Sequence, residues 1–259
     1  MVGRFVPHLG AVLPLAVTHG RLYVGTSGFS YPDWAPKFYP AGVRSTDLLR
    51  EYAARLPAVE LNNTFYRQPR PEAVANWLAD TPDSFRFAVK AQRGGSMRAL
   101  GEAATQTVEW LTAPYRLFGE RLGCVLFRVP DPIARDDLRL RSLLDAWPKD
   151  LPLSVEFQHP SWHVGEVYDE LAAAGLALCA TDLDDQLTPD LRRTADFVYL
   201  RLRRTTYADA DMSTWADRLA VFLADGVDCY VFLRHDEAGD SALRAELLRS
   251  AVVARVAIG

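Results

Sequence analysis

Apolar residues fall into eight short runs, 22–26, 58–62, 85–90, 124–128, 153–157, 177–181, 197–202 and 229–233, each only five or six residues long. Runs of that length, rich in Val, Leu, Phe and Tyr and bounded by turn-forming residues, read as strands. Between them the spacing shifts to the three-to-four-residue repeat of amphipathic helices, most clearly over 102–118, 164–174, 213–224 and 240–253. Shorter helical patterns cover 46–55, 72–79 and 136–146, and the weakest connection is 182–196. Strands that alternate with helices form right-handed βαβ units on a parallel sheet, and eight units in about 240 residues predict a single α/β domain, a (β/α)8 TIM-like barrel. A doubly wound open sheet competes on periodicity alone. It lacks the Gly-rich dinucleotide fingerprint, because Gly25 and Gly28 frame Thr26-Ser27 instead of the GxGxxG spacing.

Length and composition narrow this further. At about 150 residues per domain, 259 residues leave one domain or two. No linker divides the chain, so the expectation is a barrel domain over 21–259 behind an N-terminal extension, 1–20. Arg4 followed by the apolar stretch 9–17 resembles a signal peptide, but Pro14 interrupts it and no small-residue cleavage site follows. Spanning a bilayer takes about 20 apolar residues, and no segment is that long, so no membrane partner is expected. A hydrophobic content of 49% with 24% charged residues excludes disordered, collagen-like and coiled-coil classes. Cys124, Cys179 and Cys229 form no CxxC pair and sit in apolar runs, which reads as reduced, packed thiols in a cytoplasmic protein. The formal net charge of −4 disfavours long nucleic acid as a partner, unless Arg93, Arg128, Arg201, Arg203, Arg204 and Arg234 converge on one rim.

In a barrel the site is built where strands end. The first strand runs into Thr26, Ser27 and Tyr31, then Trp34, an aromatic-rich loop that is either a packed cap or a pocket wall. The second ends in Glu60, Asn62 and Tyr66, and period-two alternation points Glu60 and Asn62 to one face. An inward carboxylate needs a partner or a task. Lys90 ends the third strand; Glu156, then His159 and Trp162, end the fifth; Arg201 and Arg203 share a face of the seventh. Glu60 and Glu156 then form a candidate proton-transfer pair, with Lys90 as the third catalytic candidate and Lys90 and Arg201 stabilising charge. Thr26, Ser27, Tyr31, Trp34, Asn62, Tyr66, His159, Trp162, Arg201 and Arg203 are candidates for holding a small anionic or phosphate-bearing substrate.

Two alternatives stay open. Glu60, Glu156, His159 and Asp182, with His163 and His235 nearby, supply enough donors for a divalent metal and a phosphodiesterase or nuclease, although no HxH or HExxH spacing occurs and no metal ligand is assigned. Alternatively, the charges are a structural ion-pair network, and the barrel binds a ligand without chemistry. There is no P-loop and no GxSxG elbow.

The stretches Val24 to Tyr31 with Trp34 and Phe38-Tyr39-Pro40, and Val59 to Tyr66 with Pro69 and Trp77, resemble the YecE-like family, a domain-of-unknown-function family. The segment 85–90, Glu156 to His159 with Ser161-Trp162, and Tyr199 to Leu202 extend the resemblance over nearly the whole chain after residue 20. It implies a TIM-like barrel but no established reaction, the main functional suggestion being a likeness to metal-dependent endonucleases. The chain departs from the family pattern at Gln92 to Met97, where an Ile-Thr-His-like segment is usual, and at Phe127 to Pro130, where a Gln-Leu-Pro-Pro-like turn is usual. Gln158 stands for a common Arg, Arg203-Arg204 for a His-Gly pair, and Phe232 to His235 for a Phe-Asn-Asn-like run. The resemblance thus implies a family-like N-terminal half of the site and a remodelled C-terminal half.

Overall fold

The structure, a computed structural model, describes residues 19–101 and 104–257. The proposed N-terminal extension and its signal-like stretch lie, except for its last two residues, outside the described residues. Eight parallel strands, β1 (Leu22–Thr26), β2 (Ala58–Leu61), β3 (Arg86–Lys90), β4 (Leu122–Val129), β5 (Leu153–Phe157), β6 (Ala177–Asp182), β7 (Phe197–Leu202) and β8 (Asp228–Leu233), form one sheet. The sheet curls round until β1, paired with β8, meets β2, and the fold is a (β/α)8 TIM-like barrel.

Eight helices surround it: α1 (Leu48–Arg55), α2 (Pro71–Ala79), α3 (Arg93–Ala99), α4 (Ala104–Thr112), α5 (Asp137–Ala146), α6 (Gly165–Ala174), α7 (Asp209–Ala224) and α8 (Asp240–Val256). The helix expected over 102–118 is shorter: α4 stops at Thr112, and beyond Pro114, which cannot donate to a continuing helix, a separate short turn runs over Tyr115–Arg121. The short α3 contains Gly94 and Gly95, which weaken any helical reading of the sequence. It forms because the Gln92 side chain accepts a hydrogen bond from the Gly95 amide at 2.6 Å. No helix joins β6 to β7, as the weak pattern there foreshadowed.

Two apolar layers hold the barrel. Inside, Tyr23, Phe197, Tyr199, Tyr230 and Phe232 from β1, β7 and β8 face the small side chains Ala58, Ala88, Cys124, Ala177 and Cys179. Large residues opposite small ones let the closed interior pack. The three cysteines are free and buried. A larger layer lies between strands and helices and contains both Trp34 and Trp162.

The seam between β1 and β2 is unusual. A single bridge joins them, from Ser27, just past the end of β1, to Glu60 within β2. Deeper in, the Tyr52 hydroxyl from α1 stands between the strands, accepting from the Thr26 amide at 2.7 Å and donating to the Ala58 carbonyl at 3.0 Å. A phenol thus replaces a direct ladder bond, and both backbone groups stay satisfied. Gly25 permits this approach, because a Cβ there would lie 1.9 Å from the Ala58 oxygen and 2.7 Å from the Tyr52 hydroxyl.

Gly25→Ala is therefore expected to destabilise the protein by about 3 kcal/mol or more, read as a lower urea midpoint, since an added methyl forces backbone apart. Gly165→Ala, where nothing lies within 4 Å, serves as the control and should leave the midpoint within about 0.5 kcal/mol of wild type or slightly above it. Equal midpoints for Gly25→Ala and wild type would refute this account of the seam.

Candidate active site at the carboxyl end of the barrel

Glu60 ends β2 with its carboxylate fully buried. Five hydrogen bonds meet it. Oε1 accepts from Ser27 Oγ at 2.7 Å, Arg201 Nη2 at 2.9 Å and Arg203 Nη2 at 2.6 Å. Oε2 accepts from the Tyr199 hydroxyl at 2.8 Å and Arg201 Nε at 3.0 Å. Burial alone raises its pKa, but Arg201 and Arg203 outweigh that and hold the carboxyl well below the usual range. With both oxygens saturated and the proton strongly disfavoured, Glu60 is poorly suited to exchange protons. Its geometry is that of a group that holds two arginines in place.

Glu156, from β5, is differently placed. Its Oε1 accepts from Arg201 Nη1 at 2.7 Å and Thr181 Oγ1 at 2.9 Å, whereas the buried Oε2 has no hydrogen-bond partner among the described residues. Arg128 Nε stands 3.3 Å from Oε2 without hydrogen-bond geometry and is itself buried and unpartnered, as is Arg203 Nε. Buried polar atoms of this kind call for a partner. Lys90, 8% exposed, has no ion pair or side-chain hydrogen bond among the described residues. Its ammonium lies 4.4 Å from the centre of the Phe65 ring. Burial first and Arg201 second push its pKa down to about 8, and the same two causes lower Arg203.

These groups line a cavity of about 1130 Å³ that opens at the carboxyl ends of the strands. It reaches the wall between β5 and β6, where only Ser154 with Ala177 and Val155 with Leu178 pair. There the Leu178 amide donates to Thr194 Oγ1 at 2.8 Å in place of a strand neighbour. Within the mouth, Lys90, Arg128, Arg201 and Arg203 face the carboxylates Glu60 and Glu156, which leaves two positive charges uncompensated. On the rim, Arg192 and Arg234 are offset by Asp131 and Asp190.

Of the residues expected at the site, Tyr31, Asn62, Tyr66, Lys90, Glu156, Arg201 and Arg203 line the cavity, and Glu60 lies beneath it. The others are placed elsewhere. Thr26 Oγ1 donates to the Gly28 carbonyl, and Ser27 is spent on Glu60. Trp34 Nε1 donates to the Asp236 carbonyl, and Trp162 Nε1 to that of Ile133, so both indoles tie loops together within the outer core. His159 caps a short turn by accepting from the Ser161 amide, while His163 reaches the cavity. Phe65, Gln186 and Arg192 also line it; the last two come from the helix-free segment after β6, where periodicity offered no signal. Arg93 and Arg204 do not join the basic lining, and Arg204 pairs with Asp182 at 2.8 Å.

Three of the donors considered for a divalent metal are spent on other partners. Glu60 is filled by arginines, Asp182 is shared by Arg204 and Trp215, and His159 is turned to its own loop. Among the described residues no three His, Cys, Asp or Glu side chains gather as a metal site. No helix among the described residues is long and apolar enough to cross a membrane.

The family model described as "Protein of unknown function DUF72" matches residues 23–257. A DUF72 family protein from Thermotoga maritima MSB8, known as a crystal structure, superimposes with a TM-score of 0.79 and 26% identity, over 90% of this chain and 99% of that one. Another from Enterococcus faecalis V583 has a TM-score of 0.67 at 19% identity, over 92% and 99%, a likeness of fold. UPF0759 protein YecE of Escherichia coli K12 is 32% identical over 143 residues, 54% of this chain and 50% of that protein. UPF0759 protein YunF of Bacillus subtilis 168 is 27% identical over 158 residues, 58% and 55% respectively. The chain spans about half the length of these curated relatives.

The Glu60 cluster makes a prediction about stability. A carboxylate held below its unfolded pKa of about 4.3 contributes stability in full above that value and loses it as pH falls toward the folded value. Glu60→Gln is expected to destabilise the protein by about 3–5 kcal/mol at pH 7, by leaving two buried guanidiniums without their carboxylate. Urea titrations from pH 7 to 3 should show the gap between wild type and variant narrowing as pH falls; a gap that stays constant or widens would contradict the ionised, arginine-locked Glu60.

Proposed function

The chain belongs to the DUF72 family of proteins of unknown function, and on that footing we propose that it is an enzyme acting on a small anionic, carboxylate- or phosphate-bearing substrate at the barrel mouth. The observation that carries this reading is the pair of uncompensated positive charges around the cavity. Lys90 and Arg203 are both driven toward their neutral forms by burial and by Arg201, and an anion seated among them would relieve that repulsion. The orphaned Nε–H groups of Arg128 and Arg203 supply directional donors for its oxygens. The Lys90 amine is the group free to exchange protons with a bound molecule; burial raises the Glu156 carboxyl but Arg201 and Arg128 outweigh it, so Glu156 offers Oε2 as an ionised acceptor, while Glu60 positions Arg201 and Arg203. This division of labour keeps part of the charged set structural and part reactive.

Inorganic phosphate, the simplest probe, is expected to raise the melting temperature with the logarithm of its concentration above Kd; at 100 times Kd it stabilises by about 2.7 kcal/mol. Arg128→Gln should weaken phosphate binding about 10- to 100-fold, the range for losing a hydrogen bond from a charged donor. Sulfate, whose charge is constant over this range, reads the lysine: its affinity should hold steady below about pH 8 and fall above it as Lys90 loses its proton. When phosphate esters and carboxylates are screened for chemical change by mass spectrometry, Glu156→Gln is expected to retain binding of any converted compound and lose its turnover. A protein whose melting temperature is indifferent to every anion offered would refute the proposal.

A further inference from the structure

Of the 29 basic Lys and Arg residues in this chain, only three are lysines: Lys37, Lys90 and Lys149. Lys37 pairs with Asp240 at the surface, and Lys149 is exposed. The third sits alone in the barrel mouth among arginines. If the place needed only positive charge, an arginine would supply it with a planar fork better matched to carboxylate or phosphate. What lysine adds is an amine that can shed its proton and form a covalent bond.

The surroundings of Lys90 favour that use. Its ammonium has no counter-ion within ion-pair distance among the described residues, rests against the face of Phe65 and borders the cavity. The Phe65 wall is set by its neighbour: the Thr64 hydroxyl lies 2.7 Å from both the Leu61 and the Lys90 carbonyl oxygens, tying the loop after β2 to the end of β3. Burial strips the ammonium of water and Arg201 repels it, and both favour a free amine, in keeping with its depressed pKa. The Phe65 face, a cation–π partner, offsets only part of this and fixes where the amine lies. Across the same cavity, Glu156 Oε2 accepts no hydrogen bond among the described residues and stands 3.3 Å from Arg128 Nε.

We propose that Lys90 is a catalytic nucleophile that forms an imine with the carbonyl carbon of a small anion bearing an aldehyde or ketone, such as a 2-oxo acid or a keto-phosphate. This rests on the anion-binding reading above and narrows its substrate class. The Lys90 ammonium first passes one proton to water in the open cavity, from which the departing oxygen later takes it, and the free amine attacks the carbonyl carbon. A C–N bond forms as the carbonyl π pair moves to oxygen. The second proton leaves nitrogen as the C–O bond breaks, and both protons depart on that oxygen as water. The product is a protonated imine with the charge of the original ammonium, and neither oxidant nor reductant is consumed. The cationic nitrogen then acts as an electron sink for the adjacent carbon, the feature used in carbon–carbon bond making and breaking and in proton removal next to a carbonyl.

The test is reductive trapping on the full chain. The protein is incubated with pyruvate or with dihydroxyacetone phosphate, treated with sodium borohydride, digested and mapped by mass spectrometry. Lys90 is expected to carry the adduct in at least about tenfold excess over Lys37 and Lys149, since an amine of pKa near 8 is roughly a hundredfold richer in its free form at neutral pH than an ordinary lysine. Lys37→Arg, at the surface away from the mouth, should keep both the stabilisation by inorganic phosphate and the adduct, whereas Lys90→Arg should lose the adduct. Equal labelling of the three lysines would overturn the proposal. If phosphate stabilises the wild type while Lys90 stays unlabelled, the imine is refuted and the anion site stands; if neither occurs, both fail.

Discussion

The mouth of this barrel is organised around one buried carboxylate. Glu60 brings β1, β2 and β7 together through Ser27, Tyr199, Arg201 and Arg203, residues as far as 143 positions away in the chain. A carboxylate without water is tolerable only with its lone pairs filled and its charge opposed. The donors therefore cannot rotate elsewhere, and Arg201 is held so that its remaining nitrogen reaches Glu156. The same contact lies beside the β1–β2 seam, where backbone pairing is reduced to one bridge and the Tyr52 hydroxyl does the work of a ladder bond. Glu60 thus closes the barrel and aims its cations in a single arrangement.

That arrangement leaves the mouth with an imbalance of charge. Glu60 absorbs much of Arg201 and one edge of Arg203, and Glu156 takes the rest of Arg201 with Arg128 Nε 3.3 Å from its other oxygen, so two carboxylates face four cations and Lys90 has no ion pair among the described residues. A site with excess buried cations stores unfavourable energy that an anion releases, which is how preorganised electrostatics favour binding and charge development. Arg128, Arg203 and Arg234 all line the cavity.

Much of this was legible in the sequence, for identifiable reasons. Strand positions show in period-two alternation, and that alternation correctly turned Lys90, Glu156 and Arg201 into one mouth, because strand ends in a barrel converge whatever the loops do. The role of Glu60 was not legible: saturation depends on how many donors from β1 and β7 arrive together, a property of three-dimensional register. Trp34 and Trp162 looked like pocket walls because aromatic residues line pockets and cores alike, and only their indole hydrogen bonds to loop carbonyls separate the two. His159 and His163 lie one helical turn apart, and the turn beginning at Pro160 decided which of them meets the cavity. The segment after β6 gave no periodic signal because it forms no helix, yet it supplies part of the rim.

The most direct test of the central claim, that an arginine-locked Glu60 leaves a cationic mouth built for an anion, is a high-resolution crystal structure of the protein grown in phosphate. The account predicts a tetrahedral anion contacted by Lys90, Arg128 and Arg203, with Glu60 still accepting from both arginines and Tyr199. A mouth holding only water under those conditions, or a metal ion bridging Glu60 and Glu156, would contradict it.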